Sequence, residues 1–278
     1  MSRYDKGRET PLLQAVQHVK RMRGGAQAHL MRCSDGGLYV VKFQNNPQHL
    51  RVLANDLLAT RLAERVGLDV PKTEIVQVDE WLIKHTSELR LELPGKTIPV
   101  CAGMQFGSRY VCPPHEGLVY DYLPETMLDR VKNLNQFAGM LALDKWTCNA
   151  NGRQAAFWKK GRERKFTATF IDQGYCFNAG EWSFPDSPLR GVYGRNEVYA
   201  GVTGWKSFHP WLENIQNFDE DSIRELAESI PPEWCGDWDD LARLVDCLIQ
   251  RRSRVEELIW SFATSSRKPF VNWSEKVN

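Results

Sequence analysis

Apolar positions in the first hundred or so residues recur mostly at a period of two, and in the later ones mostly at a period near 3.6. Residues 12–20 mix apolar and polar positions and enter a first strand. Residues 30–33 and 38–43 read as two more, joined by Ser34-Asp35-Gly36-Gly37, a strong hairpin turn. On the second of these, Val40 and Lys42 share one face, and Tyr39, Val41 and Phe43 the other. Residues 48–66 change period. Leu50, Leu53, Ala54, Leu57, Leu58, Leu62 and Val66 recur as in an amphipathic helix, closed by Gly67 before Val70-Pro71 restarts extended chain. Residues 74–78 and 80–84 alternate and predict a further hairpin of the same sheet. Residues 97–109 predict another strand running into a glycine-punctuated connector. From 127 to 143 the stripe Leu128, Val131, Leu134, Phe137, Ala138, Leu141 and Ala142 is helical. Residues 154–159 and 166–171 then read as a hairpin with a charged tip, and 222–229 and 237–263 as helices. The order predicts an α+β fold, β-rich over 1–108 and mainly helical over 109–278.

Composition narrows the class. A chain of 278 residues can bury a large core in one or two domains, and its net charge of +1 argues against a partner held by bulk nucleic-acid electrostatics. Seven cysteines, odd in number and without a C-x-x-C, argue against a disulfide framework or a zinc site and for reduced thiols in a cytoplasm. The N-terminal MSRYDKGRETP has no apolar signal region, and no stretch approaches membrane-spanning length. The expectation is a soluble intracellular protein with no membrane partner.

The chemistry concentrates between residues 143 and 177. Asp144 is followed five residues later by Asn149, in a polar loop that also carries Asn151 and Gly152. The second strand of the hairpin delivers Asp172, with Gln173-Gly174 behind it. In an antiparallel hairpin the start of one strand lies beside the end of the other. Asn149 and Asp172 therefore reach the same edge, with Asp144 on the loop leading in. Two carboxylates and a carboxamide suit a hard, oxygen-loving cation such as Mg²⁺. The spacing is that of phosphoryl transfer, in which an Asp receives the hydroxyl proton, an Asn five residues on holds a metal, and an Asp-x-Gly holds the metal bridging the phosphates.

Upstream, Gly24, Gly25, Ala26 and Gln27 form a turn whose backbone N–H groups can approach a phosphate. Lys42 lies where a phosphate-pairing ammonium would sit, and Asp56 or Glu64 of the following helix is available to ion-pair with it. Backbone groups of Met104, Gln105 and Phe106 are candidates to hydrogen-bond an adenine edge. Each feature has a plainer reading, as a glycine turn, an edge lysine or ordinary turn residues. Their order along the chain favours the site.

With GGAQAHL at 24–30, VVKF at 40–43, AND at 54–56 opening a helix that closes on GLDVP, LDKWTCNANGRQ at 143–154 and FIDQG at 170–174, the chain resembles the HipA-like family of atypical serine/threonine kinases. The resemblance covers about the first two thirds of the chain. It implies a bilobal protein-kinase-like fold, similar also to that of the phosphatidylinositol kinases, with a β-rich first lobe and a helical second one. It further implies ATP and Mg²⁺, with Lys42 on the α/β-phosphates, Asp56 orienting Lys42, Asp144 as base, and Asn149 and Asp172 as metal ligands. The acceptor it implies is a Ser or Thr hydroxyl of a protein that the sequence does not name. HipA toxins carry an additional N-terminal domain, whereas this sequence reaches its glycine loop almost at once, so a stand-alone kinase core is expected. No Ser or Thr lies between Arg21 and Cys33 to be phosphorylated in that loop. Two other readings stay open: a pseudokinase that binds nucleotide without transfer, and a kinase for a small-molecule or lipid hydroxyl.

Overall fold

In the computed structural model, which describes residues 12–275, the first part of the chain closes a small barrel and the later part packs helices against a three-stranded sheet. Residues 1–11, the polar N-terminal stretch, and 276–278 lie outside the described part. The barrel begins with β1 (Leu13–Arg21), β2 (His29–Cys33) and β3 (Leu38–Lys42). Helix α1 (Val52–Arg65) intervenes before β4 (Thr73–Val78) and the short helix α2 (Glu80–Lys84). A separate hairpin, β5 (Arg90–Leu93) and β6 (Lys96–Pro99), precedes β7 (Gly103–Arg109), which lies between β3 and β4. Parallel pairing of β1 with β4 closes the barrel. Next come β8 (Gly117–Tyr120), α3 (Gln136–Trp146), β9 (Gln154–Lys160) and β10 (Thr167–Ile171), the three strands forming one antiparallel sheet. The chain ends with α4 (Trp211–Gln216), α5 (Glu220–Glu228), α6 (Pro232–Cys235), α7 (Trp238–Arg251) and α8 (Val255–Ala263).

Alternation along the strands decides what faces what. Tyr39, Val41 and Phe43 are buried in the barrel with Met31, Val76 and Val78, while Val40 and Lys42 point outward into a cleft. The β2–β3 turn is locally stabilised: Gly36 takes φ +76°, and the Gly37 N–H donates to Asp35 Oδ1 at 2.8 Å. Helix α1 follows the barrel strands in sequence, yet its Leu53, Leu57, Leu58 and Leu62 share a core with Phe137 and Leu141 of α3 and with the C-terminal helices. This helix ties the two halves together.

Four expected elements differ. Residues 80–84 form a helix rather than a strand, because Asp79 accepts from the Trp81 N–H and caps it; five residues are too few for alternation to outweigh a cap. Residues 97–109 divide into the end of β6 and all of β7. The stripe from 127 to 143 is interrupted: Val131 turns extended and bridges to Phe166, and Asn133 exchanges hydrogen bonds with the Ala168 backbone, so the continuous helix starts only at Gln136. Residues 237–263 are two helices joined by a tight turn at Arg252–Arg254, where the Arg252 side chain donates to the Phe218 carbonyl.

Candidate active site

Lys42 is the centre of the cleft. Its Nζ donates to Asp56 Oδ2 and to Asp172 Oδ1, both at 2.7 Å, joining β3, α1 and the end of β10. Burial alone would lower the pKa of this ammonium, but the charges of Asp56 and Asp172 outweigh it and raise the pKa, so Lys42 stays charged. Burial pushes the Asp172 carboxyl up, and Lys42, joined by Arg153 and Gln154, more than reverses this, leaving it below the usual carboxylate range. Of the two acids available on α1, Asp56 makes the pair and Glu64 is exposed.

The Asp172-Gln173-Gly174 triplet is read off the same contacts. Asp172 sits at φ +63°, an uncommon conformation for a residue with a side chain. The Gln173 N–H donates to Asp56 Oδ1 at 2.9 Å. A Cβ on Gly174 would lie 2.6 Å from Val52 Cγ2 and 2.9 Å from Asp56 Oδ2, so any side chain there displaces the acid that holds Lys42.

Around this centre the cleft encloses about 700 Å³, a size suited to a small-molecule ligand. Gly24, Gly25 and Ala26 form one wall, with Gly24 at φ +116°. Gln27 turns away and braces the loop against β5 instead, donating to the Glu92 carbonyl and accepting from Arg21 and the Glu92 N–H. Phe106 lines the cleft, but Met104 and Gln105 do not. Both sit within β7, paired to β4; the Met104 carbonyl accepts from Gln44 and Trp234, and the buried Gln105 side chain is bonded to Gln44 N and to the Cys101 and Ala102 carbonyls. Downstream of them, Ser108, Arg109, Tyr110 and Val111 line the cleft.

Asp144 and Asn149 are buried and do not line the cleft. Asp144 is 1 % exposed and is gripped by Arg153, whose Nε donates to Oδ2 at 2.9 Å while its second terminal nitrogen contacts Oδ1. Gly191 closes over the pair: a Cβ there would lie 2.6 Å from Asp144 Cβ and 3.1 Å from Asn149 Cβ. Lys145 fastens that covering segment by donating to the Pro188 and Arg190 carbonyls at 2.8 and 2.7 Å. Asn149 is buried too; its Nδ2 donates to Asp144 Oδ1, and its Oδ1 accepts the Asn151 N–H. The D-x(4)-N spacing was legible in the sequence. The burying partner was not, because Arg153 sits nine residues on and reads there as one more basic residue at a strand start.

The helical half presents other groups to the cleft: Asn151, Gln154 and Asp172, with Gln154 Nε2 donating to Asp172 Oδ2 at 2.8 Å. Among the described residues no cluster of three His, Cys, Asp or Glu side chains is arranged to hold a metal ion. The Asp172 carboxylate with the Gln154 carboxamide beside it is nonetheless an all-oxygen donor set. It fits a Mg²⁺ that keeps waters and takes its remaining oxygens from a bound phosphate.

The whole architecture matches known kinases. The structure of the Helicobacter pylori proinflammatory kinase CtkA superposes with a TM-score of 0.59 at 15 % identity, covering 92 % of this chain and 100 % of that one. The Golgi casein kinase gives 0.51 at 13 % identity, over 91 % and 73 %. Hydra Fam20 solved with sugar gives 0.50 at 9 % identity, over 92 % and 86 %. At such identities the likeness is one of fold, here a kinase-like fold of mixed strands and helices. No curated protein sequence matches. The family model described as HipA-like kinase matches residues 16–159, just over half of the chain and the stretch holding the glycine loop, Lys42, Asp56 and the start of the 154–171 hairpin, and on that match the chain belongs to the HipA-like kinase family.

Proposed function

We propose that the protein is an ATP- and Mg²⁺-dependent phosphotransferase acting on a Ser or Thr hydroxyl of another protein. The observation that carries this reading is the Asp56–Lys42–Asp172 chain at the floor of a cleft walled by the glycine loop. Lys42 would meet phosphate oxygens once nucleotide enters, with Asp56 keeping it in place. The backbone of Gly24, Gly25 and Ala26 approaches the same phosphates without side chains in the way. Asp172 and Gln154 would hold the metal, which supplies charge neutralisation of the phosphates, and Asn151 would face the acceptor hydroxyl. Asn149 serves one step back, positioning the Asn151 backbone. Transfer of this kind passes through a loose, metaphosphate-like state, so positioning and charge carry most of the catalysis. The barrel half and the helical half would act as two lobes about the 109–117 connector.

A second reading, nucleotide binding without transfer, is favoured by one observation: the Asp144 carboxylate is sealed under Gly191 and paired with Arg153. One experiment separates the two. Purified protein is incubated with Mg²⁺ and γ-labelled ATP, with and without a cell lysate, beside Lys42→Ala and Asp172→Asn. Label in one or more proteins that both variants lose supports the kinase. No label, but a Mg-ATP thermal shift that Asp172→Asn loses, supports the binding module, and neither label nor shift rejects both.

A further inference from the structure

Asn151 is followed by glycine, the one Asn-Gly pair in the sequence. Both residues are exposed, and Asn151 lines the cleft beside Gln154 and Asp172. The Gly152 N–H donates to the Oδ1 of Asn151 at 2.8 Å. That contact sets the Gly152 nitrogen close to Cγ, the carbonyl carbon bearing that oxygen. Gly152 carries no side chain to obstruct the approach, and the space where one would stand is open, with the Val192 carbonyl oxygen nearest at 3.8 Å. Asn149, two residues earlier, is the contrast. It is buried, bonded through both side-chain atoms and followed by alanine.

We propose that Asn151-Gly152 is a deamidation site, and that the aspartate it forms supplies the cleft with the carboxylate that buried Asp144 does not. The Gly152 nitrogen bonds to Asn151 Cγ and gives up its proton. The Cγ–Nδ2 bond breaks, and that proton leaves with the amide as ammonia. Water then adds to the cyclic imide and reopens it, giving aspartate at one carbonyl or isoaspartate at the other. Nothing is oxidised or reduced, and water is the sole co-reactant.

The catalytic consequence rests on the kinase reading of the cleft; the modification itself does not. A carboxamide can hydrogen-bond an acceptor hydroxyl but cannot take its proton at neutral pH. A carboxylate at the same position can do so. The protein would thus be synthesised with a latent base and gain it with age.

The test follows the 151-containing peptide by mass spectrometry during incubation in mildly alkaline buffer, with transfer from γ-labelled ATP measured in parallel. Wild type is compared with Gly152→Ala, Asn151→Asp and Asn151→Gln. Gly152 does not use the left-handed region and a Cβ there meets nothing closer than 3.8 Å, so Gly152→Ala folds normally while hindering ring closure. The expected result is amide-to-acid conversion at Asn151 in wild type but not in Gly152→Ala. Transfer should rise with conversion, and Asn151→Asp should exceed Asn151→Gln on the order of 10²-fold. An amide that persists in aged wild-type protein overturns the modification. Conversion that leaves Asn151→Asp no faster than Asn151→Gln, in protein that still shows the Mg-ATP thermal shift, overturns the latent base. Loss of that shift in every form would instead reject the kinase reading, while the mass measurement still decides the modification.

Discussion

Arg153 and Asp144 form a buried, near-complete ion pair, with side-chain exposures of 2 % and 0 %. Such a pair adds little net stability when intact, but removing one partner strands the other charge in a low-dielectric site. Arg153→Met should therefore lower stability by about 3–5 kcal/mol. The double variant Asp144→Leu/Arg153→Met should recover most of that loss, and denaturant midpoints of the single and double variants measure the difference. A second residue sets an acid limit. Burial first, and then the neighbouring His18, hold the buried His29 imidazole down at about 4, against 6.5 for the free group. The folded pKa is the lower one, so the unfolded chain binds more protons between those values and stability falls as pH drops from 6.5 towards 4. His29→Gln should flatten that part of the melting-temperature profile, and an unchanged slope would exclude His29 as its source.

At the scale of elements, α1 does more than add a turn of core. Its Asn55 donates to the carbonyls of Gly174, Cys176 and Ala179 and accepts from the Trp182 indole, so one side chain shapes the segment just after Asp172. Asn55→Ala leaves these groups without their partner, at about 1–3 kcal/mol for each one that finds no replacement. Amide hydrogen exchange over residues 174–182 should accelerate well beyond that in β1–β3. Helix α3 depends on a close approach instead. A Cβ on Gly139 would stand 2.2 Å from Trp211 Cδ2, so Gly139→Ala should cost about 1–3 kcal/mol or more by overpacking, seen as a lower unfolding midpoint.

For the whole molecule, the site exists only where barrel and helical half meet, since β3 brings Lys42, α1 brings Asp56 and β10 brings Asp172. A nucleotide bound there contacts groups that unfolding scatters, so Mg-ATP should stabilise the fold by mass action, about 2.7 kcal/mol at a hundredfold excess over Kd. Differential scanning calorimetry should register this as a rise of several degrees, and Lys42→Ala should lose most of it. Among the described residues no helix is long and apolar enough to cross a membrane. All seven cysteines are free thiols, in keeping with their irregular spacing.

Local patterning was enough for much of this. Alternation placed Lys42 on the outer face of β3, the glycine turn and its hairpin were plain, and the 154–171 hairpin formed with Gln154 opposite Ile171. These features depend on neighbours in sequence, where backbone preference and side-chain period act directly. What tertiary structure alone decided was which polar residues meet water. Asp144 reads as a catalytic carboxylate because its distance to Asn149 is right, but spacing carries no information on burial. Arg153 folding back on it and Gly191 arriving from more than forty residues away settle that question. The pairing of Lys42 with Asp56 rather than Glu64, and the exclusion of Met104 and Gln105 from the cleft lining, have the same origin. Each follows from long-range packing, which single-chain periodicity does not encode.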